Sequence, residues 1–71
     1  MQRMQQLAQA EAHIAQGERT IARQQAIVAA LERHGHDASF AGELLTQFRQ
    51  IQALYVADRD RIRRILEKAE T

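Results

Sequence analysis

The chain has 71 residues and a mass of 8.1 kDa, room for one small domain spanning residues 1–71. It contains no cysteine, which excludes a disulfide framework and a Cys-based zinc site. Ten basic residues against nine acidic leave a net charge of +1, too even a balance to name an acidic partner. No run approaches the ~20 apolar residues of a membrane span. Met1-Gln2-Arg3-Met4-Gln5-Gln6 lacks the apolar stretch of a secretory signal and is not expected to be one.

The chain has no proline and is rich in Ala, Gln, Glu, Arg and Leu, so helix is the cheap conformation along most of its length. A first helix is expected over residues 2–34. Within it Leu7, Ile14, Ile21 and Val28 recur every seven residues, with Ala10, Gly17, Gln24 and Leu31 between them. That is a heptad seam with small residues at several positions. A turn over residues 35–39 follows. Gly35 reads as the left-handed residue closing the first helix, and Ser39 or Asp37 as the cap of the next, with Ser39 favoured. A second helix is expected over residues 40–69. Its matching seam is Ala41, Leu44, Phe48, Ile51, Tyr55, Asp58, Ile62, Ile65 and Ala69. Gly42 lies inside helical pattern, where glycine costs up to ~1 kcal/mol relative to alanine.

A short turn makes the two helices antiparallel neighbours. Centring the turn on His36 pairs Leu31 with Ala41, Val28 with Leu44, Gln24 with Phe48 and Ile21 with Ile51. Further from the turn, Gly17 meets Tyr55, Ala10 meets Ile62 and Leu7 meets Ile65. Small residues then face bulky ones, as close packing requires. Ile14 faces Asp58. That carboxylate either sits near the seam edge with solvent or Arg61 as its partner, or makes a register-fixing contact with His13 or with an arginine of another subunit.

One seam leaves apolar residues over. Phe40 and Leu54 flank one side of the second helix, Leu45 and Leu66 the other, and Met4 and Ile27 lie off the first seam. So wide a stripe calls for more cover than one hairpin partner provides. The expected fold is therefore all-α, an antiparallel two-helix hairpin that dimerises into a four-helix bundle, with a higher oligomer or a different protein partner as the alternatives.

Chemistry is sparse. His34, His36 and Asp37 are ligand types clustered in the turn, but His13 is far down the first helix and cannot join them. No metal site, cofactor or small-molecule substrate is expected. There is no nucleophile triad, glycine-rich phosphate loop or HExxH, so the chain does not read as an enzyme. The leading reading is a non-catalytic, self-associating protein-interaction module of the kind a small regulatory adaptor uses. The alternative is a nucleic-acid-binding hairpin dimer whose anion contacts are Arg59, Arg61, Arg63, Arg64 and Lys68. Against it, Asp58, Asp60 and Glu67 interleave with those bases. Arg23 and Arg49 become close neighbours in this register, either splayed into water or holding an anion between them.

The segment His13-Ile14-Ala15-Gln16-Gly17-Glu18-Arg19-Thr20-Ile21-Ala22-Arg23-Gln24, then His34-Gly35-His36-Asp37, Leu44-Leu45 and Arg59-Asp60-Arg61, carries a pattern GER-x-I-x-RQ, GHD, LL and an arginine-rich end. Over roughly residues 7–66 it resembles a group of short helical-hairpin proteins of alphaproteobacteria that has no established function. The resemblance implies a bacterial, cytoplasmic protein and assigns no functional residue.

Overall fold

The structure is a computed structural model and describes residues 2–70. α1 runs Gln2–Arg33 and α2 runs Ser39–Glu70, packed side by side into a rod of 56 × 14 × 14 Å. Among the described residues there is no strand. The all-α hairpin and its turn thus stand where the sequence places them, the helix ends differing by one residue.

Three hydrogen bonds close α1. His34 N–H donates to the Ala30 carbonyl at 3.1 Å, Gly35 N–H to Glu32 at 3.1 Å and His36 N–H to Leu31 at 2.8 Å. The last two form the Schellman pattern, which needs a left-handed residue at its centre; Gly35 supplies it with φ of 72°. At the start of α2 the cap is Asp37 rather than Ser39. Its Oδ1 accepts from the Ser39 N–H at 2.9 Å. Hydrogen bonds from the Ser39 side chain and then its backbone hold the exposed Asp37 carboxyl below its ordinary pKa of 3.8, with desolvation opposing slightly.

The first seam is as expected: Ala10, Ile14 and Gln24 are buried, and Leu7, Gly17, Ile21, Val28 and Leu31 half-buried. The second is rolled. Its inward stripe is Ala41, Leu45, Phe48, Gln52, Tyr55, Arg59, Ile62 and Leu66, all buried or half-buried. Ile51, expected in the core, is 44% exposed, and Asp58 is exposed. Leu44 and Ile65 are half-buried beside the stripe.

The register differs as well. Gly17 faces Gln52 instead of Tyr55, whose ring packs on His13 with centroids 5.1 Å apart and planes at 62°. α2 is displaced by about one helical turn from a turn centred on His36. The cause is the Schellman closure, which folds His36 back over the last turn of α1 and shifts the hairpin's midpoint toward α1.

Two glutamines then cross the interface to backbone carbonyls. Gln24 Nε2 donates to Ala41 at 2.9 Å, and Gln52 Nε2 to Ile14 at 2.9 Å. A one-turn slip would break both and strand buried amides, so these contacts fix the register. The apolar core is thin: only Ala10, Ile14, Ala41 and Ile62 are buried, and no large side chain is completely enclosed among the described residues.

Candidate interaction surface

Helical periodicity divides the rod into two long sides. On one, a groove of about 240 Å³ runs between the helices, with Gly17 and Gln52 at its floor and His13, Thr20, Ile51 and Tyr55 among its walls. It lies midway along the hairpin. Ile27, seven residues beyond Thr20, continues this side on α1 and is 42% exposed. Phe40 and Leu54 continue it on α2, at 72% and 70% exposure. Scattered exposed apolar residues are ordinary; a stripe of them along one side of a thin-cored rod is not.

The roll of α2 produces this stripe. With Gln52 and Arg59 turned inward, Ile51 and Leu54 are carried outward, while Leu45 and Leu66 become half-buried. Ile51 therefore moves from the expected core to the outer surface. Gln52 and Arg59 are the half-buried inward residues that the seam pattern did not mark. The signal for Gln52 was present: Gly17 leaves room for a partner side chain, and a long amide fills it as well as an aromatic ring.

Three of the bases near the end of α2 are paired with acids. Arg59 pairs with Asp60 at 3.0 Å, Arg61 with Asp58 at 2.6 Å and Arg63 with Glu11 at 3.1 Å. Asp58 thus takes the edge position with Arg61. Arg61, Arg64 and Lys68 fall on one outward stripe, while Arg59 and Arg63 lie on another, so the five do not form one cationic face. Arg23 and Arg49 are both exposed.

His34, His36 and Asp37 are exposed in the turn, and among the described residues no group of three His, Cys, Asp or Glu is placed to hold a metal ion. Among the described residues no helix is long and apolar enough to cross a membrane. Comparison of the chain with family models, curated proteins and solved structures gave no match.

Proposed function

We propose that this chain is a non-catalytic, self-associating interaction module of the cytoplasm, folding as a hairpin and working as a two-fold four-helix bundle. One observation carries the reading: Ile27, Phe40, Ile51 and Leu54 stand exposed on the same side of a hairpin whose own core is thin. Surface area supports it. The hairpin exposes 5527 Å², whereas a folded monomer of 8.1 kDa ordinarily exposes about 4,500 Å². The excess of about 1,000 Å² per chain is close to the roughly 800 Å² that each partner contributes to a standard interface. Covering the exposed Ile27, Phe40, Ile51 and Leu54 side chains favours association through the hydrophobic effect.

Light scattering across a wide concentration range tests the reading, with helicity followed on the same samples. The expected species has about twice the 8.1 kDa chain mass and loses helicity as it dissociates. Leu54→Glu should convert it to the monomer. A folded monomer at all concentrations would overturn the proposal.

A further inference from the structure

We propose that the second copy packs antiparallel to the first, α2 against α2 along the exposed stripe, with the two-fold axis between Ile51 and Leu54. This inference rests on the self-association reading and adds its geometry. On the outer side of α2 the stripe positions are separated alternately by four and three residues, an order that reads the same from either end. Ile51 and Leu54 stand at the centre. Gln47 and Asp58 come next, then Leu44 and Arg61, with Phe40 and Ile65 outermost; Leu44 and Ile65 are half-buried at the stripe's inner edge.

Reversing one copy on the other therefore sets Ile51 against Leu54 and Phe40 against Ile65, apolar on apolar. Gln47 meets Asp58, an amide donor against a carboxylate. Leu44 meets the stem of Arg61, whose guanidinium stays on Asp58 of its own helix at 2.6 Å. The parallel alternative sets each residue against itself, placing Asp58 on Asp58 and Arg61 on Arg61. Two like-charge layers inside an interface cost affinity and specify against that arrangement.

The ends of the rod repeat the argument. Residues 32–43, at the turn, carry three acids and one arginine; the open end, residues 2–11 together with 58–68, carries six bases and four acids. Antiparallel copies bring acidic end to basic end at both extremities. Parallel copies bring like to like. An isologous contact of this kind closes at two subunits.

Cysteine pairing decides the orientation, because the chain has no cysteine of its own. Gln47 and Asp58 are exposed, so Gln47→Cys and Asp58→Cys leave the fold intact. The unmodified chain is first sized by light scattering. The two variants are then treated with a short bismaleimide, separately and as a re-equilibrated mixture. The expected result is a dimeric unmodified chain and a shift to double mass in the mixture, with each variant alone left uncross-linked. A dimer in which each variant cross-links alone would be parallel and would overturn this inference while leaving self-association standing. A dimer with no cross-link in any sample would place the interface on another side. A monomeric unmodified chain would overturn both.

Discussion

Gln52 reaches across the hairpin through the space that Gly17 leaves open. Its Nε2 donates to the Ile14 carbonyl at 2.9 Å, while its buried Oε1 lies where a Gly17 side chain would stand and has no hydrogen-bond partner. The glycine and the glutamine are one device: the first provides close approach, the second a polar clamp.

Gly17→Ala should therefore destabilise the hairpin. The added methyl overlaps the Gln52 amide and displaces it from Ile14. Losing that bond costs about 1–3 kcal/mol, offset by up to ~1 kcal/mol of better helix propensity. In a Gln52→Ala background the same substitution should become stabilising, because only the propensity gain is left. Urea titration of the four chains gives the coupling; additive effects would refute the clamp.

Gln24→Glu tests the second clamp. A carboxylate cannot donate to the Ala41 carbonyl, and Gln24 is buried at 8% exposure. The variant should be less stable at pH 7 and recover part of its loss as the new carboxyl takes a proton, near or above its ordinary pKa of about 4.3. A loss that does not change with pH would point to packing instead.

Gly42→Ala should stabilise. It is an internal helical position with nothing within 4 Å of an added Cβ. The expected gain is about 0.4–1 kcal/mol. For a domain of this size that raises the melting temperature by several degrees, roughly 4–8 °C per kcal/mol. Thermal unfolding followed by circular dichroism measures it.

Asp37→Ala should lower the melting temperature at neutral pH by removing the acceptor for Ser39. The Asp37 pKa is lowered in the folded chain, so the stability it confers is fully present above 3.8 and is lost as pH falls through the lower folded value. The gap between variant and parent should close over that interval. A gap of constant size down to strong acid would remove Asp37 as the cap.

Arg63→Ala should change little. Its pair with Glu11 joins the two helices, but both side chains are 47% exposed. Exposed pairs contribute about 0–1 kcal/mol. A shift in the urea midpoint beyond that range would mean the pair has a larger role.

Much of this was legible from residue pattern. The heptad Leu7, Ile14, Ile21, Val28 marked the inner side of α1, and Gly35 marked the turn, because burial and a left-handed backbone each demand particular residue types. Asp58 with Arg61 was legible for the same reason, being a local pair on one helix. The roll of α2 was not. Its sequence offers two apolar stripes sharing Ala41, Phe48, Tyr55 and Ile62, one completed by Leu44 and Ile51 and the other by Leu45 and Leu66. Hydropathy favoured the first.

The sequence by itself determined two helices, their lengths, the place of the turn and the inner side of α1, since these follow from local backbone preference and periodicity. Which side of α2 turns inward was decided only in the tertiary structure. There the Schellman closure shifts the register by about a turn, and two glutamine amides find carbonyls on the opposite helix. An amide N–H turned inward gains from a carbonyl acceptor, whereas exposed leucine is tolerated. The outcome is a polar clamp inside and an apolar stripe outside, Ile51 and Leu54 at its centre.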